Sequence, residues 1–263
     1  MLYESFDGMW APVTATFFWS LGIGIASFLL VFKTKLFDHL IGAPLVPPFL
    51  ALPAIMFAFL MGFMSSDGWQ NFAHARTALI NEASSISRLI ASPFQSADLQ
   101  RGLNTNIQLY LEGVLEEEWA NSISMYGSTK SKKALDDLGL IIWKGGMQAC
   151  QGSCIDAVTR SSYIKALDDL RSAREQRLSL GYMSNVNIKW FLAIMLAFLS
   201  ALTVAAVHRH NQKTAVISLV LFSCSIWITF SMATIYSDPY KWAERLEPAP
   251  LVSILNSLKT GPK

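Results

Sequence analysis

Charge is scarce in this chain. Only 15% of its 263 residues are Asp, Glu, Lys or Arg, against roughly a quarter in an average soluble domain. The 21 basic residues nearly balance the 19 acidic ones, and no basic stripe of the kind that tracks nucleic acid is present. Nucleic acid is therefore not an expected partner. There are four histidines (His39, His74, His208 and His210) and three cysteines. No Walker loop, dinucleotide glycine pattern, G-x-S-x-G elbow or zincin helix occurs. The expectation is a protein that is not an enzyme and needs neither cofactor nor metal. The His208-Arg209-His210 turn reads as a solvated connection and Glu116–Glu118 as a solvated helix end. Strand signals are poor throughout, and neither an internal repeat nor a low-complexity linker is found.

What the chain has instead is apolar residues gathered into four uncharged runs, 11–32, 43–64, 190–207 and 214–236. A helix crossing a bilayer needs about 20 apolar residues, and backbone polar groups in lipid must be satisfied internally. All four runs are expected to span. The third reaches full length when Ile188 and Lys189 join it, with the lysine snorkelling. The residues before the first run hold Glu4 and Asp7 and no basic residue, so it reads as a retained span rather than a signal peptide. The predicted class is an all-α integral membrane protein. Residues 1–64 form an N-terminal hairpin (spans 11–32 and 43–64) and 65–187 a helical soluble insert. Residues 188–236 form a C-terminal hairpin (spans 188–207 and 214–236), and 237–263 a tail.

Within the insert, Leu99, Leu103, Ile107, Tyr110, Leu111, Val114 and Leu115 recur at helical spacing, behind Asp98 near the helix start. A second helix is expected to continue from span two through His74, Arg76, Glu82 and Arg88 and to stop before Pro93. A third runs from about 155 to 180, with Arg171 and Glu175 four apart and Gly181 as a stop. Gly145-Gly146 and Gly152 read as turns around Cys150 and Cys154. That cysteine pair reads either as two free thiols or as a disulfide, and no zinc motif is completed. Pro44, Pro47, Pro48 and Pro53 crowd the start of span two, where Pro53 is expected to kink the helix.

The end of that span carries the sharpest pattern. Ile55, Phe59 and Phe63 stand four apart on one helix edge, followed by Ser66 and Asp67. On periodicity alone this edge packs against another helix or meets lipid. Surrounding an axis, several copies would make an apolar constriction with acids at its mouth.

The stretch from Phe59 through Gly62-Phe63, Ser66-Asp67, Trp69, Phe72 and His74 to Arg76 resembles the second-span signature of bestrophin channels. Glu82-Ala83 with Arg88, Tyr110 and Glu118-Trp119 resemble the bestrophin-like domain family of four-span membrane proteins. Asp238-Pro239-Tyr240, with Pro248 beyond, is similar to that family's Asp-Arg-Pro-Phe-type ending, without the arginine and with tyrosine for phenylalanine. The resemblance covers about 50–255. It implies a homopentamer in a bilayer, passing inorganic ions, with second spans lining the pore. Matched residue by residue, it makes Ile55, Phe59 and Phe63 the pore neck. Ser66, Asp67 and Arg76 then stand at the mouth, with Gly62 as a helix-packing position.

Animal bestrophins carry a calcium-binding acidic cluster that has no match after Pro239. The resemblance also implies a cytoplasmic insert and a multi-pass place in the cell (inner) membrane. The basic residues of the short connections, Lys33, Lys35, Arg209 and Lys213, favour the opposite orientation, and the family topology is preferred here. The alternative reading is a non-conducting anchored sensor whose Leu99–Leu115 stripe docks another protein.

Overall fold

Eight α-helices and one π-helical turn make up the described chain, with no strand among the described residues. The computed structural model describes residues 2–34, 51–91, 97–119, 127–148, 157–183, 187–240 and 246–260. Cys150, Cys154, His39, Pro44, Pro47, Pro48 and Gly152 lie outside the described residues. The helices are α1 (Leu2–Lys33), α2 (Leu52–Ala91), α3 (Ala97–Gly113), α4 (Thr129–Gln148), α5 (Ala157–Met183), α6 (Asn187–Val207), α7 (Gln212–Ser237) and α8 (Ala249–Thr260), with the π turn Val114–Trp119 continuing α3.

Among the described residues, three segments are long and apolar enough to cross a membrane: Trp10–Lys33, Ile188–Val207 and Gln212–Ser237. The remaining expected span, 43–64, is described only from residue 51, and α2 opens at Leu52. Pro53 therefore sits in the first turn, where a missing amide costs nothing. It starts the helix instead of kinking it, and the Ile55 amide already bonds the Ala51 carbonyl at 3.0 Å.

The chain divides into two compact units, Met1–Asn71 with Asn185–Glu244 and Phe72–Ser184 with Arg245–Lys263. In the first unit, α6 presents Ala193, Ala197, Ala201 and Ala205, all fully buried, at four-residue intervals. Small side chains let helices approach closely where lipid removes the usual hydrophobic drive. Against this ridge pack Ile23 and Val31 of α1, Phe57 and Met61 of α2, and Leu219, Ile226 and Phe230 of α7. Polar links reinforce the packing: the Thr16 and Ser231 hydroxyls lie 2.7 Å apart, and the Trp227 indole donates to the Val13 carbonyl at 2.9 Å. Asn211 caps α7 by accepting from the Lys213 and Thr214 amides.

The second unit is built on the predicted apolar stripe of α3. Leu103, Ile107, Tyr110, Leu111 and Val114 are all fully buried. The stripe is thus the insert's own core, which removes the surface that the sensor reading required. Helix α4 runs through Gly145 and Gly146, so these glycines do not form the expected turn. Helix α5 passes Gly181 by two residues, and the tail holds α8. Arg171 pairs with Asp136 at 3.6 Å and with Asp168 at 4.0 Å, rather than with Glu175.

Candidate functional site

The 40 residues of α2 extend about 60 Å, and its two sides differ. Phe57 and Met61 turn inward, Phe57 meeting the Phe230 ring edge-on at 5.9 Å. The opposite side is open. Ile55, Phe59 and Phe63 are 47%, 64% and 68% exposed, so no helix among the described residues covers them. Gly62 lies among them, and a Cβ built there would meet nothing within 4 Å. The glycine of α2 that makes a close helix contact is Gly68, whose added Cβ would lie 2.9 Å from the Tyr236 carbonyl oxygen. Trp69 also meets Tyr236, their ring centroids 5.6 Å apart.

A four-residue step overshoots a full turn by about 40°, so the line through Ile55, Phe59 and Phe63 drifts around the helix. Asp67 ends about 120° from Ile55, at the edge of the open side. There it accepts from the Lys189 ammonium of α6 at 2.5 Å. The lysine expected to snorkel is thus neutralising the acid. The groups that follow Phe63 on the open side are Ser66 and Gln70, the Gln70 amide donating to the Ser66 hydroxyl at 3.3 Å. Sequence reading passed over Gln70 because a lone glutamine carries no motif. Arg76 is exposed further along α2.

In the second unit, the family-motif residues Glu82, Tyr110, Glu118 and Trp119 converge on one buried charge network. The Tyr110 hydroxyl donates to Glu82 Oε1 at 2.5 Å. Arg177 Nε donates to Glu82 Oε2 at 2.7 Å, and its Nη2 to Glu118 Oε2 at 2.6 Å. Arg174 Nη2 reaches Glu118 Oε1 at 2.6 Å. The Ser128 amide and the Ser131 hydroxyl complete the acceptance at Glu118, at 2.9 and 2.6 Å. Glu82, Glu118 and Arg177 are fully buried.

Burial pushes the Glu118 carboxyl upward. The Arg177 charge, the Ser131 and Ser128 hydrogen bonds and Arg174 overcome it and hold the group at about 2. Burial and the Glu82 charge raise the Tyr110 phenol well above its ordinary value, so it remains a donor. The Arg177 guanidinium lies 5.2 Å over the Trp119 ring, and the Trp119 indole donates to the Leu246 carbonyl at 3.3 Å. Glu116 and Glu117 are solvated as expected, but Glu118 is not. It sits in the π turn, whose wider winding re-aims it inward. Two acids and two arginines joined by buried, charge-assisted hydrogen bonds make a structural lock. No group of acids, histidines and cysteines able to hold a metal occurs among the described residues.

The Bestrophin-like domain family matches residues 24–251, reaching further toward the N-terminus than the motifs quoted above. No curated protein matches the chain. Two single-substitution variants of a bacterial bestrophin homologue from Klebsiella pneumoniae superpose with TM-scores of 0.67 and 0.68. Their identities are 17% and 16%, and the alignments cover 94% of this chain and 97% and 98% of theirs. At such identities the likeness shows a shared fold. With three helices among the described residues fit to span a bilayer and a family match over most of its length, the chain is a membrane protein belonging to the Bestrophin-like domain family.

Proposed function

We propose that the chain is one protomer of an oligomeric ion channel, with α2 of each copy lining a central path. The observation that carries this reading is the two-sidedness of α2. One side is locked into the first unit by Phe57, Met61 and Gly68, while the other leaves Ile55, Phe59 and Phe63 uncovered. In a homopentamer of four-span chains (11–32, 43–64, 188–207 and 214–236), that side faces the axis. The three side chains then form a neck that gates by dewetting.

Ser66, Asp67 and Arg76 stand at its mouth. Because Lys189 offsets Asp67, the mouth is closer to neutral than a bare ring of carboxylates, and the Ser66–Gln70 pair supplies its polar lining. The protein sits multi-pass in the cell (inner) membrane with the insert in the cytoplasm, as in the family topology. Gly62, open within one copy, receives its packing neighbour from the next.

The test is planar-bilayer recording of the purified protein. Wild type should conduct, and Phe59→Ala and Phe63→Ala should each raise unitary conductance several-fold. Silent wild-type protein, or currents in both variants unchanged from wild type, would sink the reading.

A further inference from the structure

Three cavities stand out among the described residues. Two belong to the membrane unit and are apolar: about 340 Å³ beside Phe17, Gly24, Ser223 and Trp227, and about 560 Å³ beside Phe18, Gly22 and Phe198. The third is different in kind. It measures about 260 Å³ and lies between α2 and α5 in the insert unit. Its walls are Asn81, Ser85, Arg88, Asp169, Ser172 and Gln176, with Ala173 the one apolar residue.

We propose that this cleft binds a single small zwitterion of the α-amino-acid class. Arg88 and Asp169 face each other at 3.0 Å, their side chains 49% and 40% exposed. An anion entering alone would meet the Asp169 carboxylate, and a cation alone would meet the Arg88 guanidinium. Only a ligand carrying both signs satisfies the two. The guanidinium takes an α-carboxylate in its planar fork, and Asp169 takes the ammonium.

Half-exposed ion pairs contribute little net stability, so exchanging this one for two ligand contacts is cheap. The floor is already set, since Ser85 is fully buried and accepts from Arg88 Nη2 at 3.1 Å. That bond holds the guanidinium over the cleft. The carboxamides of Asn81 and Gln176 have no side-chain partner among the described residues. They offer donors and acceptors to a polar ligand side chain. The volume falls below the roughly 300–1,000 Å³ that encloses drug-sized molecules, which suits one amino acid.

The assignment is independent of ion conduction and is tested by binding alone. Full-length protein in detergent is titrated calorimetrically with L-glutamine, and in parallel with glutarate and putrescine, which carry one sign each. L-Glutamine should bind saturably with a Kd of about 1 mM or tighter and raise the melting temperature. Glutarate and putrescine should do neither. Arg88→Gln and Asp169→Asn should each weaken L-glutamine at least tenfold. Ser172→Trp, at an exposed position, should abolish binding by filling the cleft, and serves if either charge variant fails to fold. Absence of saturable heat at about ten times that concentration, equal binding of glutarate, or L-glutamine affinity unmoved by the variants would each overturn the proposal.

Discussion

Gly127 and Glu118 show how much of this protein rests on single side chains. Gly127 holds φ at +63°, a left-handed conformation that L side chains enter at a cost. A Cβ there would collide with the Arg174 guanidinium and lie 3.1 Å from Glu118 Oε1. Gly127→Ala should therefore destabilise by about 1–3 kcal/mol, read as a lower melting temperature in detergent.

Glu118→Gln is expected to be worse. Removing one partner of a buried pair costs about 3–5 kcal/mol, and here Arg174 loses the carboxylate it binds while Arg177 keeps only that of Glu82. The same carboxyl predicts a pH dependence. Its folded value is depressed from 4.5 to about 2, so its contribution is complete above pH 4.5 and drains as pH falls toward 2. Thermal melts across that window should show wild type losing stability steeply and Glu118→Gln, already without this group, losing less.

Helices here are legible from their periodicity, but their partners are not. The α3 stripe reads correctly as one apolar face, yet spacing does not say whether such a face meets its own core or a stranger. Contacts at long sequence separation, such as Glu82 with Arg177, decide that. Gly145-Gly146 reads as a turn, yet α4 continues through both glycines to Gln148, at a helix penalty of about 1 kcal/mol per glycine.

In α2, the drift of a four-residue repeat carries Asp67 out of line with Phe63 and into contact with Lys189. Both charges are about half exposed, so Asp67→Asn should change stability by at most about 1 kcal/mol. Under the channel reading it leaves Lys189 uncompensated at the mouth and should shift the reversal potential toward anion selectivity. An unchanged reversal potential would take Asp67 and Lys189 out of the ion path.

The assembled particle is where the channel reading is most exposed. A pentamer has five times the 29.2 kDa of one chain, or about 146 kDa of protein, which light scattering of the detergent-solubilised particle will measure. A monomer or dimer cannot encircle a path with one α2 from each copy. Orientation is a separate question. Lys133 is exposed on α4, so Lys133→Cys in a background lacking native thiols can be probed with an impermeant maleimide. In intact cells it should stay unlabelled if the insert is cytoplasmic, and react only after permeabilisation.

The apolar runs, their lengths and the helical periods could be read directly from the chain, because lipid and helix geometry impose them locally, residue by residue. The motif residues Glu82, Tyr110 and Glu118 were also visible there, as signposts of a family rather than as a mechanism. Their convergence on Arg174 and Arg177 was not visible, nor the Asp67–Lys189 pair, nor the polar cleft behind Arg88. Each of these depends on which faces of distant helices come together. That follows from how side-chain volumes and charges pack across the fold, which no local window of sequence contains.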